Sequence, residues 1–545
     1  MQEATHVVFN QVPHLVDYNL FDTDPALREA VAREGGAAAL PLLAAFGAEL
    51  GKETWFELGR LANVNPPLLH RFDSAGRRID RIEFHPAWHE LLRGIVARGF
   101  HSGPWLAPTP GAHVARAAGY LLQGQVEAGT LCPTTMTFGA VPVLRREPAL
   151  AAQWLPLLAT REYDARDLPA GRKHGALLGM GMTEKQGGSD VRANTTRAVR
   201  QHDDSWRITG HKWFYSAPQA DAHLVLAQAD AGPSCFLVPR YTPDEARNAV
   251  RIERLKDKLG NRSNASGEVE FDGAFGQLVG QEGKGIRTLL EMASCTRLDC
   301  VLGSAALLRQ ALVLALHHAR ARHAFGQALI EQPLMRAVLA DLVLESQAAS
   351  ALGLRLARAL DHPDNATEQA LFRVLVAAAK FWVCKRSVAA IGEAMEVLGG
   401  NGYVEEGRMA RLYREAPVNS IWEGSGNIMC LDVLRALARV PRAGEALLTE
   451  LGGVRGRDRV YDAACERLAA RLRRHPAGEE EARALVQDLV LQVQAALLLA
   501  GTCSATAGLF CASRLAHGAP PVFGVLPHGH DLTPILARAF IDPLG

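Results

Sequence analysis

Residues 181–190 read Gly-Met-Thr-Glu-Lys-Gln-Gly-Gly-Ser-Asp, so that a strand-like approach runs into a glycine-rich loop. Paired glycines let backbone N–H groups come close to an anionic ligand, and the hydroxyls of Thr183 and Ser189 can bond a pyrophosphate or a ring carbonyl. A Gly-Gly-Ser loop alone is more often an ordinary β-turn. The full string is far more specific, and it indicates a cofactor-binding loop.

A second glycine cluster follows a long helical pattern at residues 396–403, which read Glu-Val-Leu-Gly-Gly-Asn-Gly-Tyr. Its three glycines permit a close backbone approach to a ligand. The alternative is a plain helix C-terminus followed by a loop.

A third cluster places an acid in an apolar setting, since residues 421–428 read Ile-Trp-Glu-Gly-Ser-Gly-Asn-Ile. Burial there would raise the pKa of Glu423, which suits a general base that works near neutral pH. The alternative is a glutamate at the start of a helix that is stabilised by the helix dipole and does no chemistry.

The hydrophobic pattern changes three times along the chain and predicts four domains. Residues 1–175 are expected to be helical, because apolar residues recur there at helical spacing. Residues 176–283 hold short alternating runs between turn-forming clusters, which predict a central antiparallel β domain. Helical patterns return in a bundle over residues 284–440, and residues 441–545 form an extra C-terminal helical domain. The predicted fold class is multidomain α+β.

The charge and cysteine content exclude several classes of protein. Lysines and arginines number 59 against 58 acids, so the net charge of +1 gives no overall attraction to nucleic acid or membrane. Nine cysteines are scattered without zinc-binding spacing, so no metal site is expected, and they fit reduced thiols in the cytoplasm. No secretory signal is readable at the N-terminus. The uncharged stretch 489–513 contains glutamines that favour a buried helix, so no membrane partner is expected.

All three clusters resemble signature segments of the acyl-CoA dehydrogenases. Residues 210–216, 258–263 and 322–326 are also similar to segments of that family, and the resemblance covers roughly residues 30–440 in the family's domain order. It implies the acyl-CoA dehydrogenase fold and an FAD cofactor.

The resemblance also implies which residues contact FAD. The residues expected from this chain's positions in the family motifs are Met182, Thr183, Gly188, Ser189, Phe214, Ser216, Arg322, Phe325, Glu396, Gly400, Ser425 and Asn427. In the family, residues at the places of Arg322, Phe325, Glu396 and Gly400 reach the FAD of a neighbouring subunit. A homotetramer is therefore expected.

The resemblance assigns the chemistry to Glu423. In the family this glutamate removes the α-proton of an acyl thioester while the β-hydride moves to the flavin. Some relatives carry the base at the place of Thr296, and a threonine cannot serve as that base. Arg297 resembles an arginine that lies near the active site in family members, and the alternative is an arginine on the helix surface. We also expect the bulky ring of Trp422 to narrow the acyl pocket.

A longer resemblance points to one branch of the family, the bacterial alkylation-response flavoproteins. It is carried by the extra C-terminal domain, by residues 5–11 and by residues 56–67. It implies binding to double-stranded DNA, protection against alkylating agents and only weak dehydrogenation of substrates similar to isovaleryl-CoA. A metabolic dehydrogenase of short or branched acyl-CoA substrates without a DNA role is the alternative hypothesis, and a flavin-bound scaffold without turnover is a third.

The candidate DNA-binding residues are arginines of the C-terminal part. Arg467, Arg471 and Arg474 recur at i, i+4 and i+7 on one helical face, and Arg435 lies on the helix after Glu423. A solvated helix face without a DNA role is the alternative. No sequence-reading motif is present, so contacts with the DNA backbone are expected.

Overall fold

The computed structural model describes residues 5–473, 478–516 and 518–541. The chain forms two compact units. The helical unit consists of Met1–Glu53, His113–Gln125 and Cys300–Gly545. The sheet unit consists of Thr54–Ala112 and Val126–Asp299. These units do not follow the four predicted domain boundaries, which stay predictions.

Helices make up most of the described chain. The α-helices are α1 (Pro25–Val31), α2 (Leu40–Leu50), α3 (Glu53–Val64), α4 (Pro86–Ala97), α5 (Gly103–Leu106), α6 (Ala112–Val126), α7 (Leu131–Leu144), α8 (Pro148–Ala159), α9 (Gly285–Ala321), α10 (Pro333–Asp361), α11 (Ala366–Val397), α12 (Gly400–Tyr403), α13 (Met409–Asn419), α14 (Gly426–Arg439), α15 (Ala443–Gly452), α16 (Arg459–Arg473), α17 (Ala482–Leu499), α18 (Ser504–Phe510) and α19 (Thr533–Ala539). Shorter 3₁₀ or π turns are Ala32–Gly36, Ala37–Ala39, Ala170–Arg172, Val191–Ala193, Leu329–Glu331, Glu479–Glu481 and Cys511–Leu515.

Local sequence signals explain where several helices begin. The side chain of Asp24 accepts a hydrogen bond from the backbone N–H of Leu27 at 3.1 Å, just before α1. Asn365 caps α11 in the same way, through the N–H groups of Thr367 and Glu368. Such caps satisfy backbone donors that the first helical turn leaves without partners.

The central sheet contains seven of the described strands. The strands of the chain are β1 (Leu68–Phe72), β2 (Arg78–Glu83), β3 (Leu178–Gly181), β4 (Arg197–Arg200), β5 (Trp206–Ser216), β6 (Ala222–Ala229), β7 (Gly232–Pro239), β8 (Val250–Leu255), β9 (Ser266–Val279), β10 (His323–Ala324) and β11 (Gln327–Ala328). The order in the sheet is β3-β6-β4-β5-β9-β7, with β8 also paired to β9 and β6 to β7. Its buried face includes Trp206, Ile208, Phe236 and Phe271. Together with the helices on either side in the chain, the sheet confirms the predicted multidomain α+β class.

Two features of the β structure differ from the sequence-based expectation. The central domain is not purely antiparallel, because β6 pairs in parallel with β3 and with β4. Turn clusters report only hairpin neighbours, so they could not reveal a pairing between strands that are distant in sequence. The N-terminal segment is not purely helical either, because β1 and β2 form an antiparallel hairpin. The Asp73 carboxylate shapes its turn by accepting the N–H groups of Ala75 and Arg77, both at 2.9 Å.

Three described helical segments are long and apolar enough, by length and composition, to cross a bilayer. They are α9, α10 and Glu479–Leu499, and 83%, 89% and 67% of their apolar windows are buried inside the chain's own structure. The uncharged stretch 489–513 is not one continuous helix, since α17 ends at Leu499 and α18 begins at Ser504.

A buried ionic cluster ties the C-terminal segment to the helical bundle. Arg514, which is fully buried, contacts the carboxylate of Asp341 and donates to Glu345 at 2.9 Å. Arg386 of α11 donates to the same Glu345 oxygen at 3.0 Å. The second oxygen of Asp341 accepts the N–H of Gly524 at 2.8 Å. Both acids lie on α10, so this helix holds Arg514 and the backbone of Gly524 in place.

Removal of one partner from this cluster should be costly. Arg514→Ala leaves the Asp341 and Glu345 charges buried without their main cation, and we expect a loss of about 3–5 kcal/mol in the free energy of unfolding. Urea titration followed by circular dichroism measures the loss. Arg459→Ala, at an exposed position of α16, is the control and should change the value by less than about 0.5 kcal/mol. Equal effects of the two variants would contradict this assignment.

Candidate active site

The glycine-rich loop is anchored in the sheet unit by a buried ion pair. Lys212 on β5 donates to Glu184 at 2.7 Å, and both side chains are fully buried. The other carboxylate oxygen of Glu184 accepts the N–H of Thr195 and the amide of Gln186, each at 2.7 Å. The first oxygen also accepts the N–H of Thr196 at 3.2 Å. One carboxylate therefore ties both ends of the loop to the sheet.

The pKa values of this pair keep it ionic at neutral pH. Burial acts to raise the pKa of Glu184, but the Lys212 ammonium and the hydrogen bonds from Thr195 and Thr196 outweigh burial and lower the pKa to about 2. Burial lowers the pKa of Lys212 to about 8, although the Glu184 carboxylate opposes this change. A buried charge is tolerated only when it is paired and hydrogen-bonded, and this pair meets that condition.

The tip of the loop has no room for a side chain at Gly188. A Cβ atom there would lie 2.6 Å from the hydroxyl oxygen of Thr183, which is too close for two unbonded atoms. The exposed backbone N–H groups of Gly188 and Ser189 donate to no other residue within the described ranges. The predicted cofactor residues of this loop therefore present free donors beside a hydroxyl.

The neighbouring strand carries the other predicted cofactor residues of the sheet unit. The N–H of Trp213 donates to the carbonyl of Thr183 at 2.9 Å, which joins β5 to the loop. Phe214, the next residue, has an exposed ring, with 54% of its surface accessible. Ser216 lies partly buried at the end of the same strand. Met182, Thr183, Phe214 and Ser216 are thus brought onto adjoining segments.

Glu423 lies in the helical unit, on the turn before α14. Its backbone adopts a left-handed conformation with φ of 60°, which is uncommon for a residue other than glycine and is typical of functional sites. The buried Lys380 of α11 donates to the carbonyl of Gly424 at 2.8 Å and so fixes the turn. The indole N–H of Trp422 is buried and has no hydrogen-bond partner among the described residues. The predicted rise in the pKa of Glu423 stays a prediction.

Four other predicted cofactor residues of the helical unit, Arg322, Phe325, Glu396 and Gly400, lie on turns or close to the end of a helix. Arg322 contacts the carbonyl of Asn10. Phe325, on the β10–β11 turn, is 98% exposed and has φ of 53°. Glu396 is exposed at the end of α11, and Gly400 follows it with open space around it. An exposed phenylalanine in this conformation has little to stabilise it within one chain.

Thr296 and Arg297 lie side by side on α9. Thr296 is buried, and its hydroxyl donates to the carbonyl of Ala293 at 3.1 Å, so this position holds a hydrogen-bonded threonine and no acid. Arg297 is also buried, with 5% of its surface exposed, so it is not the helix-surface arginine of the alternative hypothesis.

The candidate DNA-binding arginines differ in whether they form ion pairs with neighbouring acids. Arg435 is exposed on α14 and makes no ion pair with any residue that the structure describes. Arg467 is exposed, donates to the carbonyl of Leu515 at 2.9 Å, and forms no ion pair with any acid that the structure describes. Arg471 forms ion pairs with Asp488 at 2.8 Å and Glu481 at 3.7 Å. Arg474 lies outside the described residues.

The described residues fit a flavin dinucleotide. The free N–H groups and hydroxyl at the Gly188 loop suit a diphosphate or a ring carbonyl, while the exposed Phe214 offers an apolar face to a flat ring. The indole N–H of Trp422 offers a further donor beside Glu423. An acid, an unpaired buried donor and a strained turn together are typical of a catalytic site.

Three family models match the chain. The adaptive response protein AidB N-terminal domain matches residues 10–165, the acyl-CoA dehydrogenase middle domain residues 179–274 and the acyl-CoA dehydrogenase C-terminal domain residues 283–438. AidB of Escherichia coli is 54% identical over 493 residues, which cover 90% of this chain and 91% of that protein.

The chain belongs to the acyl-CoA dehydrogenase family.

More distant acyl-CoA dehydrogenases share the same architecture. Acyl-CoA dehydrogenase family member 11 of Caenorhabditis elegans is 30% identical over 417 residues, which cover 73% of this chain and 66% of that protein. The crystal structure of Caenorhabditis elegans ACDH-11 in complex with C11-CoA superimposes with a TM-score of 0.86 at 25% identity and covers 95% of this chain and 94% of that one. The present chain is therefore an FAD-dependent oxidoreductase, as its sequence predicted. The predicted resemblance to AidB is also confirmed.

Some residues that shape the site were not singled out from the sequence. Glu184 and Lys212 both lie inside quoted motif strings, so the signal was present, but nothing in the strings reveals that they pair. Lys380 sits in a long helical pattern, where a lysine is normally exposed. Its burial at 1% exposure becomes visible only in the structure.

Acid should release FAD through protonation of Glu184. Because its pKa is lowered, the contribution of Glu184 to holding the loop is complete above the ordinary value of 4.5 and is lost as the pH falls through about 2. Lys212→Met leaves burial unopposed by the nearest cation, so the pKa of Glu184 rises and release begins at least about one pH unit higher. Flavin fluorescence during acid titration measures the midpoint.

The exposed Lys185 of the same loop supplies the control for this experiment. Lys185→Met should release FAD at the same pH as the unaltered protein. If Lys212→Met and Lys185→Met give the same midpoint, the buried pair does not hold the flavin loop.

Proposed function

We propose that this chain is an AidB-type flavoprotein of the alkylation response, which binds double-stranded DNA and protects it, in part by inactivating alkylating agents near its flavin. The observation that carries the proposal is the extent of the similarity to AidB. More residues align than precede residue 438, where the dehydrogenase domains end, so the alignment includes part of the C-terminal segment. That segment contains three of the four candidate DNA-binding arginines, Arg467, Arg471 and Arg474.

Weak acyl-CoA dehydrogenase activity, on substrates similar to isovaleryl-CoA, is the second part of the proposal. In this proposal Glu423 removes a proton from the α-carbon of an acyl thioester, and the contact of Lys380 with the carbonyl of Gly424 supports it by fixing the turn that carries Glu423. The chemistry that bound FAD supplies is acceptance of a hydride. Trp422 stands beside the base, where its bulk would narrow the pocket for the acyl chain and slow ordinary dehydrogenation.

The alternative function is metabolic oxidation of short or branched acyl-CoA substrates without a DNA role. The acyl-CoA chemistry of this alternative is supported by the similarity to a dehydrogenase that was solved in complex with C11-CoA and by the presence of Glu423. Rapid flavin reduction by such a substrate would favour this alternative, whereas slow or absent reduction favours the DNA-protecting function.

A homotetramer in the cytoplasm completes the proposal. Phe325 is almost fully exposed in a strained conformation, and Tyr403, near Gly400, is 80% exposed. Large apolar rings in this state are typical of surfaces that a second subunit covers. All nine cysteines lie in the described part of the chain and are free thiols there, which supports a reducing compartment.

Replacement of Glu423 by glutamine tests its role as the base. Glu423→Gln keeps the size of the side chain but cannot accept the α-proton, so we expect flavin reduction by isovaleryl-CoA to slow about 10²–10⁴-fold with unchanged FAD content. Anaerobic bleaching of visible flavin absorbance measures the rate. The exposed Glu479 provides the control, and Glu479→Gln should reduce at the original rate. An unchanged rate in Glu423→Gln would show that another group is the base.

Charge reversal tests the DNA surface. In Arg435→Glu and Arg467→Glu, duplex affinity should fall, and the slope of log affinity against log salt should become shallower by about one for each lost phosphate contact. Fluorescence anisotropy over a salt series measures both quantities. Arg471→Ala is the matched control, because its charge is already neutralised by Asp488 and Glu481, and we expect a smaller change. Unchanged duplex binding in both reversal variants would exclude this surface.

A further inference from the structure

One residue of the C-terminal segment makes a direct contact with a predicted cofactor residue. Arg483, near the start of α17, donates two hydrogen bonds to the side-chain oxygen of Asn427, at 2.7 and 2.9 Å. Asn427 is the second residue of α14 and lies four residues after Glu423 in the sequence. The contact therefore connects the segment beyond residue 440 to the turn that carries the base.

This contact fixes the orientation of the Asn427 amide. A guanidinium has only donors, so the atom that faces Arg483 must be the oxygen of Asn427. The NH₂ group of Asn427 consequently points away from Arg483. Asn427 is exposed, and this NH₂ group makes no hydrogen bond with any other residue in the described ranges. Arg483 thus turns the two N–H donors of the Asn427 NH₂ group away from itself at the start of α14.

The surroundings of Asn427 are cationic. The end of the Lys385 side chain lies so close to Gly426 that a Cβ atom there would meet its Cε at 2.5 Å. The Arg483 guanidinium also lies 5.8 Å from the Phe381 ring, which helps to fix its position. The positive end of the helix dipole of α14 adds to the same field. Two cations and two amide donors at this point suit a ligand rich in oxygen acceptors, such as a dinucleotide.

We infer that Arg483 is a positioning residue of the cofactor site, because it holds the Asn427 amide with its NH₂ group directed toward oxygen atoms of FAD. The inference rests on the proposed function only in taking Asn427 as a cofactor residue. It also makes the C-terminal segment part of the flavin site. Because linkage is reciprocal, FAD binding then stabilises the docking of α17, and a change in α17 alters FAD affinity.

The first test compares FAD affinities of arginine variants. Arg483→Ala frees the Asn427 amide to rotate, and we expect FAD to bind about tenfold more weakly, as for the loss of one charge-assisted hydrogen bond. Arg483→Lys keeps one cationic donor and should recover part of the affinity. Arg439→Ala, an exposed position at the far end of α14, is the matched control and should bind FAD normally. Titration of FAD-free protein, followed by flavin fluorescence, measures each dissociation constant.

The second test separates positioning from simple stabilisation. Asn427→Asp keeps an oxygen for Arg483 but removes the NH₂ donors, so FAD affinity should fall while the thermal midpoint of the FAD-free protein stays the same or rises. In the Asn427→Ala background, Arg483→Ala should cause no further loss of FAD affinity. Additive losses, or normal FAD affinity in Arg483→Ala, would overturn the inference. None of these measurements involves DNA, so failure of the DNA proposal would appear separately, as duplex binding that does not respond to the Arg435 and Arg467 reversals.

Discussion

The buried ion pair between Glu184 and Lys212 is the constraint on which the predicted flavin-binding loop depends. A charged pair without access to water persists only when every oxygen and proton finds a partner, and Glu184 meets this condition through Thr195 and Thr196. These hydrogen bonds join the two ends of residues 184–196, and Lys212 ties Glu184 to β5. The flavin loop is therefore shaped by its anchor, and its tip is left with free donors for a ligand.

In the helical unit, a buried cation also stabilises the backbone beside Glu423. A turn in a left-handed conformation is unfavourable for a glutamate, and the Lys380 ammonium stabilises it through the carbonyl of the next residue. Arg483 fixes Asn427 a few residues later. In both places a cation from a neighbouring helix holds a backbone carbonyl or a side-chain amide, so the turn that carries Glu423 is positioned by residues outside that turn.

The sequence predicted the elements and the motifs well, because both are local. Helical spacing predicted helices within residues 1–175, where α1, α4 and α6 lie, and the quoted string at residues 181–190 contained every residue of the glycine loop. Local sequence patterns could not reveal contacts between residues that are distant in the chain. Glu184 and Lys212 are 28 positions apart, Asn427 and Arg483 are 56 apart, and β3 pairs with β6 across two other strands. The sequence spacing predicted that Arg467 and Arg471 share one helical face, but it could not predict the ion pairs that neutralise Arg471.

Hydrogen–deuterium exchange of the protein with and without FAD tests the central claim most directly. If the loop anchored by Glu184 is the flavin cradle, backbone amides of residues 183–196 exchange more slowly when FAD is bound. The β4–β5 turn at residues 201–204 serves as the internal reference and keeps its rate. Equal exchange of residues 183–196 in the two states, in a protein that has bound FAD, would contradict the account.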